Sequence, residues 1–101
     1  MPEVMVKYRV KPDRVGENEE LVRAVYDELA STQPNGLSYA TFKLPDGVTF
    51  VHVARHAADN PLPKIAAFQR FQEGIRDRCE EAPVATRLEE IGSYRAFGDE
   101  R

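Results

Sequence analysis

The stretch LSYATFKLPDGVTFVHVARH, residues 37–56, decides how this chain folds. Two apolar runs, LSYATFKL and VTFVHVARH, flank Pro45, Asp46 and Gly47, and a three-residue loop with glycine last suits a type I turn that ends in the left-handed conformation. The pair reads as a β-hairpin. That reading governs the two histidines of the chain, His52 and His56. On a helix, imidazoles at this spacing would stand about 5–6 Å apart on one face and could share a metal ion. On a strand the same spacing spans roughly 13 Å at about 3.3 Å per residue, so no metal site is predicted. With Leu44 opposite Val48, Phe42 falls opposite Phe50 and Ala40 opposite His52, which leaves room beside the imidazole.

Upstream, Val4 to Val10 alternates, with Val4, Val6, Tyr8 and Val10 on one face and Met5, Lys7 and Arg9 on the other, as a strand does. ENEELVRAVYDELA then sets Leu21, Val22, Val25 and Leu29 at helical spacing, and Glu17, Glu19 and Glu20 cluster where a helix N-terminus favours negative charge. Pro34 and Gly36 stop that helix. Downstream, Asn60 and Pro61 or Pro63 start a second helix carrying Ile65, Phe68, Phe71 or Gln72, Ile75 and Cys79 on one side, which should end before Pro83. RLEEIGSYRAF, with Leu88, Ile91, Tyr94 and Phe97, is predicted as a last strand bulged near Gly92.

The order strand, helix, strand, strand, helix, strand predicts a ferredoxin-like α+β domain over residues 1–97, with a four-stranded antiparallel sheet under two helices and a polar tail at 98–101. Such a sheet has one bare face. The hairpin is nevertheless apolar on both sides, with Phe42, Leu44, Val48 and Phe50 on one and Tyr39, Thr41, Val51 and Val53 on the other. A second copy of the sheet is the economical cover, so a homodimer through the sheet face is expected.

The 101 residues carry 14 Lys and Arg scattered among 17 Asp and Glu, a formal net charge of −3, which argues against nucleic acid as a partner. Apolar runs are too short for a membrane span, and the N-terminus lacks the layout of a signal peptide, so a cytoplasmic protein is expected. The lone cysteine, Cys79, reads as a buried, inert thiol.

From Val4 to about Phe97 the chain resembles the dimeric α+β barrel proteins of the antibiotic-biosynthesis-monooxygenase-like group. The resemblance rests on the strand-to-helix entry VKPDRVGENEEL, the strand FVHVARH, the helix segment AFQRF and the closing IGSYRAF. It implies a barrel built across a dimer and a pocket between sheet and helices. It further implies oxidation of small aromatic or quinol-type substrates by molecular oxygen with no cofactor, neither flavin nor metal. A haem-degrading branch of the group uses an Asn in the first strand, a Trp near the end of the third and a His in the second helix. This chain has no Trp, and His56 and Leu62 fall near the latter two positions, so haem degradation is not expected.

Such chemistry asks for a dry aromatic pocket and one base near neutrality, because a phenol donates electrons to oxygen far better once deprotonated. His52 is the candidate base. Phe42, Phe50, Phe68 and Phe71 are the candidate apolar walls, with His56 and Tyr94 as further substrate-binding candidates. Each has a plainer reading. A strand histidine is commonly a hydrogen-bonded core residue, and His56 suits a strand-end capping role. Tyr8, Tyr39 and Tyr94 suit either substrate orientation or a sheet edge, while Arg76 and Arg78 suit an anionic substrate or the negative end of a helix. The readings that compete are an oxygenase, a non-catalytic dimeric module binding a small apolar molecule, and a metal-dependent enzyme supported by the histidine pair alone.

Overall fold

The computed structural model describes residues 3–96. Strands β1 (Glu3–Val10), β2 (Leu37–Lys43), β3 (Thr49–His56) and β4 (Cys79–Leu88) form one antiparallel sheet in the order β2-β3-β1-β4. Helices α1 (Val15–Thr32), α2 (Ala66–Gln72) and α3 (Ile75–Arg78) complete the β-α-β-β-α-β plan expected from the sequence. The core lies between sheet and helices, where Tyr8, Val10 and Phe50 meet Val22, Val25, Phe71 and Ile75.

Local chemistry explains the boundaries. Helix α1 ends on Gln33, whose left-handed backbone lets its N–H reach the carbonyl of Leu29 at 2.8 Å, and Pro34 then forbids another turn. The Glu28 carboxylate of α1 accepts from the backbone N–H groups of Ala66 and Ala67, so one helix caps the next. Asn60 caps only the short 3-10 turn at Leu62–Lys64.

Two expectations are corrected. The hairpin register is shifted, because the Asp46 carboxylate accepts from Val48 N–H, Thr49 N–H and the Thr49 hydroxyl, drawing Val48 into the turn. Leu44 therefore meets Thr49, and the pairs are Lys43 with Phe50, Phe42 with Val51 and Thr41 with His52. A one-residue slip turns every side chain of a strand over. Tyr39 and Thr41 accordingly lie under the helices with His52, and Phe42 projects from the opposite face.

The second correction concerns the C-terminal third. Gly74 adopts φ 69° and breaks the expected helix, and the last strand begins at Cys79 rather than near Arg87. Pro83 is tolerated inside β4 because β4 is an edge strand and is bulged there, with Ala82 and Pro83 together opposite Tyr8. Residues 89–96 form no strand, and Ile91 and Tyr94 are exposed. Phe97 and the tail 98–101 lie outside the described residues.

Candidate functional site

His52 is 5% exposed and sits on the helix-facing side of β3, its ring 5.3 Å from that of Phe71 and 5.3 Å from that of Tyr8. Both ring nitrogens are engaged. Nε2 lies 2.8 Å from the Tyr8 hydroxyl, and Nδ1 lies 2.7 Å from the Tyr39 hydroxyl and 3.1 Å from Thr41 Oγ1. Alternation along β1 and β2 explains the convergence. Val6 is the cross-strand partner of His52 on β1, so Tyr8, two residues on, shares its face, and Thr41 and Tyr39 share it from β2.

The contacts continue in both directions. Inward, Asn18 of α1 donates from Nδ2 to the Tyr8 hydroxyl at 3.0 Å, and Arg78 donates from Nε to Asn18 Oδ1 at 3.1 Å. Arg78 is only 1% exposed and donates from Nη2 to the backbone carbonyl of Phe71 and from Nη1 to that of Glu73. Its guanidinium also stands over the Phe71 ring. Outward, the Tyr26 hydroxyl lies 2.7 Å from Thr41 Oγ1, and the rings of Tyr26 and Tyr39 stack at 5.4 Å. A continuous polar chain thus crosses the core from α3 to the outer edge of the sheet.

Burial sets the protonation states. It pulls His52 from 6.5 down to about 4, so the imidazole is neutral at pH 7. It pushes the hydroxyls of Tyr8, Tyr39 and Tyr26 up, so all three stay protonated. The buried groups are hydrogen-bond donors and acceptors rather than ions, with Arg78 the exception.

Tyr26 and Tyr39 also wall a cleft of about 380 Å³ between the C-terminal end of α1 and β2, completed by Leu29, Gln33, Pro34 and Leu37. That volume admits an aromatic molecule of one to three rings. A larger cleft of about 670 Å³ lies at the far end of the sheet among Glu3, Arg55, Arg87, Glu89 and Glu90. There Arg55 is already paired with Glu3 and Glu90, and no group of the His52 chain reaches it, so the smaller cleft is the one with chemistry beside it.

Of the residues singled out in the sequence, Phe50, Phe68 and Phe71 come together around His52 and Tyr8, but as core: Phe50 and Phe71 are buried, and Phe68 packs against Phe71. His52 itself is no cleft wall; it stands one residue behind, through Tyr39. Phe42 is not at the site, since the register shift puts it on the open face at 41% exposure. Tyr94 stands 82% exposed outside the sheet, because β4 ends at Leu88. His56 is half-buried at the end of β3 with Nδ1 2.7 Å from the carbonyl of Ala57, in the strand-end role. Asn18, Tyr26 and Thr41 were missed. The signal for Asn18 was available, as an uncharged polar residue one turn before Val22 on the buried stripe of α1.

No family model matches the chain, and no curated protein matches it. Solved structures do. One is an antibiotic biosynthesis monooxygenase at 18% identity and TM-score 0.70, aligned over 91% of this chain and all of the other. A Mycobacterium tuberculosis protein aligns at 16% identity and TM-score 0.72, over 91% of this chain and 96% of the other. A Nitrosomonas europaea protein of unknown function aligns at 12% identity and TM-score 0.68, over 92% and 91%. At such identities the likeness is one of fold: this chain has the ferredoxin-like fold of the antibiotic-biosynthesis-monooxygenase-like structures, as its sequence patterns suggest.

Proposed function

We propose that the protein is a cofactor-independent monooxygenase that oxidises a small phenol-bearing or enolisable aromatic substrate in the cleft beside Tyr26 and Tyr39. The observation that carries this reading is a neutral imidazole held between tyrosine hydroxyls, one of which belongs to a cleft wall. A phenolate or enolate bound there, hydrogen-bonded by the tyrosine edge of the chain, is electron-rich enough to reduce oxygen. For an aromatic methylene activated by a ring carbonyl, loss of one proton to solvent water at the cleft mouth gives the enolate. Electron transfer to oxygen, C–O bond formation and return of the proton give a hydroperoxide. Breaking its O–O bond with loss of the second methylene hydrogen yields a carbonyl and water. The sum, CH2 + O2 → C=O + H2O, balances with no external reductant.

His52 acts in this scheme through Tyr39 rather than by direct contact with substrate. The second reading, a non-catalytic module binding a small aromatic molecule, draws on the same fact that both His52 nitrogens are already satisfied by the protein. We further propose that a second copy covers the open sheet face. Oxygen uptake with a panel of hydroquinones and anthrones separates the two functions. The oxygenase reading expects turnover by the native protein and at least a tenfold loss in both His52→Ala and Tyr39→Phe. Turnover that survives both substitutions removes His52 and Tyr39 from the chemistry, and saturable binding with no uptake by the native protein favours the binding module.

A further inference from the structure

We propose that Arg78 and Asn18 are positioning residues that fix the direction of the hydrogen-bond chain, so that its cleft end keeps one hydroxyl hydrogen to donate and takes the ligand as an oxyanion. Only the ligand half of this inference rests on the cleft reading above. The direction of the chain belongs to the free protein.

A guanidinium can only donate. Arg78 Nε gives its hydrogen to Asn18 Oδ1, which orients the amide and leaves Nδ2 to donate to Tyr8. The Tyr8 hydroxyl, having accepted there, finds its own acceptor in His52 Nε2. Nε2 therefore carries the lone pair, and in the neutral ring Nδ1 carries the hydrogen. That hydrogen points outward, to the hydroxyls of Tyr39 and Thr41.

The outer end then has a surplus. Tyr39, Thr41 and Tyr26 hold three hydroxyl hydrogens, while only two contacts join them, Tyr39 to Thr41 and Thr41 to Tyr26. Two hydrogens fill those contacts. With Thr41, which already receives the Nδ1 hydrogen, giving its own hydrogen to one of these contacts, the third stays on Tyr39 or Tyr26 and is free to donate, and both residues wall the cleft. In the opposite tautomer Nδ1 would consume that third hydrogen and the Tyr8 hydrogen would be stranded in the core. At the inner end, Arg78 is a buried cation with no carboxylate within ion-pair distance among the described residues, and its acceptors are neutral. A positive charge at one end of an aligned chain in a low-dielectric core favours a negative charge at the other.

The tautomer is read directly by 15N NMR of the labelled protein at pH 7, where a hydrogen on Nδ1 is expected. Asn18→Asp is the decisive variant, since it keeps Arg78 partnered and accepts from Tyr8 as well. The Tyr8 hydrogen then turns inward and the His52 hydrogen should move to Nε2. An absorbance titration of 4-nitrophenol supplies the second readout. Native protein should raise the acidity constant of the bound probe at least tenfold, and Asn18→Asp should abolish that shift. A hydrogen on Nε2 in the native protein overturns the proposal without any variant, as does an unchanged tautomer in Asn18→Asp. Preferential binding of neutral nitrophenol overturns the oxyanion half. Absence of probe binding with the expected tautomer supports the direction of the chain and overturns the cleft as its ligand site.

Discussion

His52 sits in the apolar core as a neutral ring, and the cost of charging it there couples its protonation to folding. The unfolded chain binds the proton near pH 6.5 and the folded one only near 4, so the unfolded state gains protons first as pH falls. Stability is therefore full above about pH 6.5 and declines towards pH 4, by about 3 kcal/mol in all. Urea unfolding of native protein and His52→Gln across this range checks it: the native curve should fall and the variant's should be flatter. Parallel curves would show that the imidazole is not desolvated as described. The sequence made His52 legible, because a hairpin settles its conformation and histidine suits proton chemistry. It did not make Thr41 legible as its partner, since a turn one residue longer moves Ala40 away and brings a hydroxyl in. Asn18 stood on the buried stripe of α1, and its task was what the sequence did not show. A polar residue on a helix is ordinarily solvated, and only the buried Arg78 opposite gives it a task.

At the scale of elements, β1, α1, β2 and β3 follow the sequence closely because each carries a clean period and a recognisable stop. The C-terminal third does not. A run of apolar residues at helical spacing through Ile75 and Cys79 hides the change of direction at Gly74, and the strand beyond is mostly exposed, so it shows little alternation. Gly74 holds φ 69°, and a Cβ there would meet nothing closer than Arg78 Nη1 at 4.0 Å. Gly74→Ala should thus cost only backbone strain, about 1–2 kcal/mol, lowering the thermal midpoint by several degrees without loss of fold. Calorimetry decides this; an unchanged midpoint would mean that the α2–α3 break is not held in the left-handed conformation. A second element-level expectation concerns the Asp46 turn. Asp46→Ala removes three hydrogen bonds that set the hairpin register, and should lower the thermal midpoint in the same measurement.

Across the whole molecule, the open face of the sheet gathers Met5, Ala40, Phe42, Val51, Val53 and Val84 around Lys7, with Arg55, Glu3 and Glu90 paired at one end. An apolar sheet face of this kind is what a two-fold partner would cover, and the expectation of a dimer rests on it. Sedimentation at micromolar concentration should give a dimer for the native chain and a monomer for Val51→Lys, which places a second positive charge beside Lys7 at the centre of that face. A native monomer would remove the partner from the account while leaving the His52 chain untouched. Among the described residues no helix is long and apolar enough to cross a membrane. Oxygenase chemistry in this cleft is tested most directly by the fate of oxygen. With anthrone and 18O2, it predicts one labelled atom in the product carbonyl, the other in water, and no hydrogen peroxide. Stoichiometric labelled peroxide with an unlabelled organic product, or no consumption of oxygen by any substrate of the panel, would contradict it.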